Sequence, residues 1–471
     1  MAHRRRDRRH QAARHPPVSA RPARAPPSPS PDPGGSGVSP HIPSEYGRRA
    51  AVDPLRWPDV ARAPRRAPVR TALAARLVRR ALRRLPLRVR TEDGESLGRG
   101  GPVLELHDSE AFFARIGRSG LIGFGESYMA GEWDAPDLAG VLTVLAGNVT
   151  ALVPRRLQQL RALWAARQPA SGRNTEDHSR ENIHHHYDLS NDLFALFLDD
   201  TLTYSSALFS GIPAAWPDLA PAQRRKIDQL LDMAEVGPGT RLLEIGTGWG
   251  GLALRAADRG AQVVTATLSE EQLKLARERV RAAGHEDRVT LLLRDYRQLT
   301  GTYDAIVSVE MIEAVGAEFW AGYFRCVDRL LAPGGRAVLQ AITMPHERML
   351  ATRNTYTWIQ KYIFPGGLLP SLDAIDHTTR EATGLRVTRQ ELFGPHYAET
   401  LRLWRERFTE RAPEAAALGF DATFQRMWTF YLAYSEAGFR AGYLDVGQLL
   451  LTRPSEPAAP GGPEKDKENP A

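Results

Sequence analysis

The sequence predicts an α/β fold around a mostly parallel sheet of seven strands, and three observations support it. From Gly239 onward, short runs rich in aliphatic and β-branched residues alternate with helical stretches, as in consecutive βαβ units. A glycine-rich turn follows the first run, and two more β-rich runs lie near the end of the region. The predicted strands are Arg241–Ile245, Gln262–Thr267, Val289–Leu293, Tyr303–Val309, Arg336–Ile342, Leu385–Leu392 and Val446–Thr452.

Helical segments connect these strands. Two of them are predicted over Glu270–Ala283 and Phe319–Leu331. A helical, aromatic-rich insertion over Pro345–Thr383 precedes the sixth strand, and helices over His396–Tyr443 precede the seventh.

Composition divides the chain into five parts. They are an Arg/Pro-rich arm (1–70), a small, mainly helical domain (71–167), a polar linker (168–180), the α/β domain (181–453) and a tail (454–471). The arm and the tail have little apolar periodicity, so we expect both to be disordered. The single cysteine, Cys326, excludes intrachain disulfides and a thiolate zinc site, and it favours a cytosolic chain.

The basic charge of the chain belongs to the arm. The formal net charge is +7, but the first 70 residues hold fifteen Arg, no Lys and five acidic residues, which amounts to +10. The remaining residues therefore have a net charge of −3. Because the folded part of the chain is not basic, no nucleic acid is expected as a partner. Five arginines lie among the first nine residues without an apolar stretch behind them, so a twin-arginine export signal is rejected.

An amphipathic helix is predicted where the arm ends, near Thr71. Leu73, Leu77, Val78, Leu82 and Leu85 recur at helical spacing, and arginines fill the other face. Such a helix either lies on an anionic lipid surface or opens a small domain, and the second interpretation is favoured. No run reaches the ~20 apolar residues of a membrane-spanning helix.

The turn after the first strand carries the strongest local signal for a ligand. It has the spacing Glu244-x-Gly246-x-Gly248-x-Gly250 between a strand and a helix, with no lysine and no second phosphate-binding turn. That favours a nucleoside without phosphates, and S-adenosylmethionine fits. The second strand ends without an acidic residue for the ribose, so backbone groups there and Gln272 are expected to replace it.

Several separated motifs resemble the cyclopropane-fatty-acyl-phospholipid synthase family, which includes the mycolic acid methyltransferases. The resemblance runs from about Gly120 to Pro454 and rests on six segments: His186–Asn191, Leu202–Ser206, Thr267–Gln272, Tyr362–Gly367, Pro395–Tyr397 and Phe439–Tyr443. It implies a Rossmann-like class I S-adenosylmethionine-dependent methyltransferase domain over 181–453, with a helical lipid-site insertion. By position it implies that the cofactor contacts are Tyr204, Ser205, Gly246, Gly248, Gly250, Thr267, Leu268, Gln272, Asp295 and Tyr296, in addition to the motif residue Glu244.

The same resemblance implies a bicarbonate ion beside the reacting methyl group. Glu313 and Tyr397 match its side-chain ligands, and Ser206 and Ile342 match the two backbone positions. The third side-chain position, a histidine in the family, is Gln340 here. Glutamine donates hydrogen bonds but cannot share a proton as histidine does, which places a ring-closing base in doubt.

Other candidate residues receive structural interpretations. His184, His185 and His186 are consecutive and cannot all face one metal, so no metal site is expected. Ser435 occupies the position of a cysteine often marked as active in the family, which argues against cysteine catalysis. Glu310 lies three residues before Glu313 and resembles half of a catalytic carboxylate pair, but a flanking structural role is favoured.

Three functions remain open at this point. The first is methyl transfer to a cis double bond of a phospholipid acyl chain, giving a cyclopropane or a methylene branch through a carbocation. It places a cytoplasmic enzyme at the inner face of the membrane, and the sequence leaves a homo-oligomer open. The sequence around Glu313 and Gln340 resembles the methylene-forming branch of the family more closely. The second is N-methylation of a small amine, and the third is a non-catalytic cofactor-binding relative.

Overall fold

The computed structural model describes residues 51–62, 68–148 and 190–454. The first fifty residues of the predicted arm lie outside this description, as do the predicted linker over 168–180, the histidines at 184–186 and the tail after residue 454. Statements about absent features below refer to the three described ranges.

The first part of the chain combines short helices with a small sheet. Its helices are α1 (Pro58–Ala61), α2 (Pro68–Leu82), α3 (Ser109–Ser119), α4 (Leu121–Met129) and α5 (Leu138–Gly147). The sheet has the order β2-β1-β3-β4, with strands β1 (Arg88–Arg90), β2 (Ser96–Leu97), β3 (Val103–Leu106) and β4 (Trp133–Asp134). Strands of two to four residues are too short to show a period, which is why the sequence predicts only helices here.

Residues 51–62, which the sequence assigns to the arm, include side chains that contact the folded body. Val60 is 1% exposed, and the Trp57 indole donates a hydrogen bond of 2.9 Å to Asp421. The Arg115 guanidinium donates to the backbone carbonyls of Asp59 and Val60. The predicted boundary is therefore wrong for residues 51–62, because long-range contacts that no local pattern reveals hold this segment on the folded body.

Seven strands form the central sheet. They are β5 (Arg241–Ile245), β6 (Gln262–Thr267), β7 (Val289–Leu293), β8 (Tyr303–Val309), β9 (Leu331–Thr343), β10 (Arg386–Leu392) and β11 (Asp445–Thr452). Their order is β10-β11-β9-β8-β5-β6-β7, and β11 runs antiparallel to both neighbours. The predicted α/β class with a mostly parallel seven-stranded sheet is confirmed.

Helices flank the sheet and build the insertion. Those between the early strands are α6 (Asn191–Phe197), α7 (Leu219–Met233), α8 (Gly251–Asp258), α9 (Glu270–Ala282), α10 (Ile312–Val315) and α11 (Trp320–Leu330). The insertion holds α12 (His346–Thr352), α13 (Trp358–Tyr362) and α14 (Leu372–Ala382). Before β11 come α15 (Gly394–Glu410), α16 (Ala412–Ala417) and α17 (Ala422–Arg440).

One hydrophobic core joins the first part of the chain to the C-terminal helices. Phe430 of α17 lies against Phe124, Tyr128 and Trp133, with ring centroids 5.3 to 6.3 Å apart. Arg426 of the same helix donates to the Trp133 carbonyl and pairs with Asp134. Helix α17 is thus fixed against the first part of the chain. No helix in the described ranges is long and apolar enough to cross a membrane.

Candidate active site

The glycine turn leaves the carboxyl end of β5 in a conformation that favours glycine. Gly246, Gly248 and Gly250 all have positive φ, at +101°, +51° and +84°. A Cβ at Gly246 would lie 2.8 Å from Cγ of Met311, whereas one at Gly248 would meet nothing within 4 Å. The backbone of the turn is therefore closely packed against Met311 at Gly246, but it is open at Gly248. An open backbone there suits the approach of a nucleoside.

Glu244 lies beneath this turn. It is 3% exposed and accepts a hydrogen bond of 2.7 Å from the Thr265 hydroxyl. Burial raises the pKa of Glu244 to about 8, and the nearby charge of Lys226 opposes that rise. The carboxyl group ties β5 to β6 directly under the turn, so this predicted cofactor residue shapes the turn from below.

The end of β6 presents an amide in place of an acidic residue. The Thr267 hydroxyl donates to Oε1 of Gln272 at 3.1 Å, and the Ser269 hydroxyl caps α9 by accepting from the Gln272 backbone N–H. Leu268 is partly exposed between them. The Thr267 contact orients the Gln272 side chain at the end of β6, and its contact with ribose or methionine stays a prediction.

Asp295 and Tyr296 follow β7 and are held by one arginine. Arg297 forms a two-pronged ion pair with the Asp295 carboxylate at 2.8 and 2.7 Å. Its guanidinium also lies 5.4 Å from the centroid of the Tyr296 ring. Asp295 is buried and Tyr296 partly buried, next to the end of β6.

The segment from Tyr204 to Ser206 also contributes to the site. The hydroxyls of Tyr204 and Tyr431 are 2.8 Å apart, and the Tyr204 ring stacks on Trp404. The Ser205 hydroxyl accepts a hydrogen bond of 2.6 Å from Lys226. Lys226 is 1% exposed, and burial lowers its pKa to about 8. The sequence gives no sign of this buried lysine.

Glu310 lies at the centre of the groups predicted to hold bicarbonate. Its Oε1 accepts from the Ser206 backbone N–H at 3.0 Å and from the Gln340 amide at 2.8 Å. Its Oε2 accepts from the Tyr397 hydroxyl at 2.6 Å. Three of the five predicted ligands therefore donate to a side-chain carboxylate that the sequence interpretation treats as flanking.

Gln340 is fixed by its neighbour across the sheet. The register of β9 and β11 places Gln448 opposite Gln340, and the Gln448 amide donates to Oε1 of Gln340 at 3.1 Å. This contact turns the NH2 group of Gln340 toward Glu310. Gln448 is a second residue that sequence reasoning misses, since it looks like an ordinary strand position.

Glu313 has a separate partner. Its Oε1 accepts from the Ile342 backbone N–H at 2.5 Å, while Oε2 is buried and has no hydrogen-bond partner within the described part of the chain. Burial, and then the nearby charge of Glu310, raise the pKa of Glu313 to about 8. These surroundings favour the neutral form of Glu313.

The arrangement does not fit an additional bicarbonate ion. Ser206, Gln340 and Tyr397 already donate to Glu310, and Ile342 already donates to Glu313. An ion would have to displace a side-chain carboxylate to reach any of these four donors. No step below uses that ion.

The aromatic residues of the insertion divide into two groups. Trp358 is buried against Phe430, and the Tyr362 hydroxyl donates to Glu126, so both serve the packing of the first part of the chain. Phe364 lies 5.9 Å from Tyr431, whose hydroxyl meets that of Tyr204. Phe364, Tyr431 and Tyr204 thus form one aromatic group, and Trp404 connects it to Tyr397, because Tyr204 stacks on Trp404 and Tyr397 lies 6.3 Å from it.

Comparisons with known proteins identify the family of the chain. A family model described as mycolic acid cyclopropane synthetase matches residues 174–449. The chain is 57% identical over 417 residues to the tuberculostearic acid methyltransferase UfaA1 of Mycobacterium tuberculosis, covering 87% of this chain and 98% of that protein. It is 36% identical over 349 residues to the cyclopropane-fatty-acyl-phospholipid synthase of Escherichia coli K12, covering 73% of this chain and 86% of that protein.

Solved structures give the same result. The mycolic acid cyclopropane synthase CmaA1, crystallised with S-adenosylhomocysteine (SAH) and CTAB, superposes with a TM-score of 0.53 at 33% identity, over 60% of this chain and 98% of that one. The cyclopropane synthase MmaA2 from Mycobacterium tuberculosis gives a TM-score of 0.53 at 34% identity, over 58% of this chain and 97% of that one.

The fold and the glycine turn define a class I S-adenosylmethionine-dependent methyltransferase. The chain belongs to the mycolic acid cyclopropane synthetase family, and it is an enzyme of the cyclopropane synthase type.

Proposed function

We propose that this enzyme methylates a cis double bond in the acyl chain of an unsaturated phospholipid and releases a methylene-branched chain. The observation that carries the proposal is the 57% identity with a tuberculostearic acid methyltransferase over 98% of its length. Tuberculostearic acid is a saturated fatty acid with a methyl branch, and a methylene-branched chain is its natural precursor. The cyclopropane synthase relative is more distant, at 36% identity.

The residues around the glycine turn support S-adenosylmethionine as the methyl donor. When bound, this molecule supplies an electrophilic methyl group on a sulfonium sulfur. We assign its contacts to the turn backbone from Gly246 to Gly250, to Gln272 at the end of β6 and to Tyr296 after β7. These groups lie along the carboxyl ends of three adjacent strands, where α/β sheets bind nucleosides.

The reaction at the alkene has three stages. Its π electrons form the new carbon–carbon bond to the methyl group while the methyl–sulfur bond breaks and leaves its electron pair on sulfur, and a cation remains on the neighbouring alkene carbon. A hydride then moves from the methylated carbon to that cation, so the positive charge passes to the methylated carbon. Loss of a proton from the new methyl group leaves its C–H electron pair as the double bond of the methylene branch.

The chain's own residues suit this chemistry. An alkene is a weak nucleophile, so a dry and oriented pocket supplies much of the rate. The rings of Phe364, Tyr431 and Tyr204 form one group, and aromatic faces stabilise a cation by about 0.5–2 kcal/mol each. Gln340, where the family resemblance implies histidine, cannot relay a proton. Both possible products lose a proton from the transferred methyl group, so the choice between them is assigned from the relatives and not from this substitution.

Access to phospholipid is assigned to one face of α2. Val69, Leu73 and Leu77 recur every four residues and are 81%, 57% and 41% exposed. Arg76 and Arg80 are exposed on the same side of the helix. An exposed apolar stripe beside arginines suits the surface of an anionic bilayer, with leucines among acyl chains and arginines at phosphates.

The identity of the fatty acid product tests the proposal. The enzyme is expressed in a host that makes no branched lipids, oleate is supplied, and the fatty acids are released as methyl esters and separated by gas chromatography and mass spectrometry. We expect a methylene-branched C19 chain. A cyclopropane as sole product would contradict the methylene proposal, and methylation of small amines without lipid products would favour the N-methyltransferase alternative.

A further inference from the structure

The Glu310 carboxylate occupies the position that the donors of the site define. Three donors from three separate elements converge on it: the Ser206 backbone, the Gln340 amide of β9 and the Tyr397 hydroxyl of α15. A carboxylate and a bicarbonate ion share the planar O–C–O group that such donors recognise. The donors assigned to an ion are therefore filled by a group of the chain itself.

The backbone at Glu310 supports a functional role. Glu310 has φ +51° where the chain leaves β8, a left-handed conformation that is strained for a non-glycine residue. Its backbone N–H donates to the Gln340 carbonyl at 2.8 Å. From this backbone conformation the side chain reaches all three donors.

The two carboxyl groups of the site have different surroundings. Burial raises the pKa of Glu310, and its three hydrogen-bond donors and the nearby charge of Lys226 oppose that rise by stabilising the ionised form. Glu313 has one backbone donor and a buried oxygen without a partner in the described ranges. Pairs of titratable groups with contrasting surroundings distinguish the base from its neutral partner.

Glu310 also lies beside the aromatic rings assigned to the cation. Its partner Tyr397 is 6.3 Å from the ring of Trp404, on which Tyr204 stacks, and Tyr204 meets Tyr431 through their hydroxyls. A base must come within hydrogen-bond reach of the proton that it removes, and a carboxylate next to these rings suits that requirement without a diffusible ion.

We propose that the Glu310 carboxylate is the general base that removes the proton lost from the transferred methyl group. The methyl C–H bond breaks, its electron pair becomes the new carbon–carbon double bond, and the proton passes to an oxygen of Glu310. The resulting carboxylic acid returns the proton to water when the product leaves. Gln340 and Tyr397 position the carboxylate. This inference rests on the proposed function, because it needs an acyl cation that loses a proton.

The first test needs no variant. Purified full-length enzyme is assayed with S-adenosylmethionine and dioleoyl phospholipid vesicles, in buffer freed of carbon dioxide and again with millimolar bicarbonate. We expect equal rates. A wild-type rate that falls when bicarbonate is removed would overturn the inference while the product remained methylene-branched. A cyclopropane product, or no acyl product, would instead contradict the proposed function.

The second test uses E310G and E310Q. Glycine suits φ +51°, so E310G should unfold at the same temperature as wild type or higher, and it should bind S-adenosylhomocysteine with unchanged affinity. Both variants should lose about 100-fold or more of the rate in bicarbonate-free buffer. Bicarbonate or formate should restore part of the activity of E310G but none of that of E310Q, whose side chain fills the position. E310G with near wild-type activity in bicarbonate-free buffer, or inactive and restored by neither anion, would overturn the assignment.

Discussion

The Tyr397 hydroxyl donates a hydrogen bond of 2.6 Å to Oε2 of Glu310, across 87 positions of the chain. Tyr397 lies in the first turn of α15, and Glu310 directly follows β8. The contact therefore connects the helical layer to the carboxyl edge of the sheet at the candidate site. Burial and the charge of Glu310 raise the pKa of Tyr397 well above its ordinary value, so the hydroxyl remains a donor throughout the working pH range.

Removing this hydroxyl should slow the enzyme and shift its pH profile. Y397F withdraws a donor that favours the ionised form of Glu310, so the pKa of Glu310 should rise further. If the ionised form is the base, the acid limb of the rate profile moves to higher pH, and the rate at pH 7 falls by about 10- to 100-fold, as for a lost hydrogen bond to a charged group. Initial rates measured between pH 6 and 9 test this.

Y303F provides the matched control for that experiment. The Tyr303 hydroxyl donates to the Thr300 carbonyl at the amino-terminal end of β8, away from Glu310. Its loss should leave both rate and pH profile unchanged. An unshifted acid limb in Y397F would contradict the coupling of the two residues.

The glycine turn should not tolerate a side chain at its first position. G246A places a Cβ 2.8 Å from Cγ of Met311 at φ +101°, so the turn must move. We expect S-adenosylhomocysteine to bind at least tenfold more weakly by titration calorimetry, from roughly 1–2 kcal/mol of strain. G284A is the control, because Gly284 has φ +72° with nothing within 4 Å and lies outside the turn. Equal affinities of G246A and wild type would count against the assigned cofactor site.

Glu244 should make stability depend on pH. Its folded-state pKa of about 8 lies above the ordinary value of 4.5 because burial penalises the charged form. Between these values the folded state retains a proton that the unfolded state releases, so the contribution of Glu244 to stability is greatest below pH 4.5 and declines as pH rises to about 8. One such group contributes a slope of at most about 1.4 kcal/mol per pH unit.

E244Q tests this slope, because glutamine cannot ionise and still accepts from Thr265. Urea unfolding at a series of pH values between 5 and 8 should show a flatter dependence for E244Q than for wild type. The exposed Glu278 gives the control E278Q, which should follow wild type. Parallel curves for wild type and E244Q would show that Glu244 is not held neutral.

Local pattern was sufficient to predict the sheet, but not the contacts that cross it. Four strands, including Arg241–Ile245 and Tyr303–Val309, agree with prediction to the residue, because buried parallel strands read as apolar runs between turn signals. The contacts of Glu310 could not be predicted from the sequence. Its spacing to Glu313 does not reveal the left-handed backbone conformation that directs the side chain. Gln448 was hidden for a related reason: its importance depends on the β9–β11 register.

The predicted amphipathic helix shows the same limit. The sequence assigns Leu73, Leu77, Val78 and Leu82 to one apolar face, but the structure divides them. Leu82 is buried and Val78 packs against the core, whereas Leu73 and Leu77 are exposed. A broad stripe of leucines fits both interpretations of the helix, and only the position of α3 shows which residues are covered.

The exposed stripe of α2 should control binding to membranes. Replacing Leu73 and Leu77 with serine removes about 1 kcal/mol of membrane burial for each half-exposed leucine, so affinity for anionic vesicles should fall by about tenfold or more. Cosedimentation with phosphatidylglycerol vesicles over a range of salt concentrations measures both contributions, because salt weakens the arginine–phosphate attraction alone. L418S, at an exposed leucine after α16, should bind as wild type does.

The arm must be separated from the stripe in this experiment. A deletion should stop at residue 50, because Trp57 and Val60 pack on the folded body. The chain lacking residues 1–50 loses ten of the fifteen arginines between Arg4 and Arg70, yet it retains α2. If this shortened chain still binds anionic vesicles and the Leu73/Leu77 change abolishes that binding, α2 is the membrane contact. Equal binding with and without the two leucines would instead assign membrane attraction to charge alone.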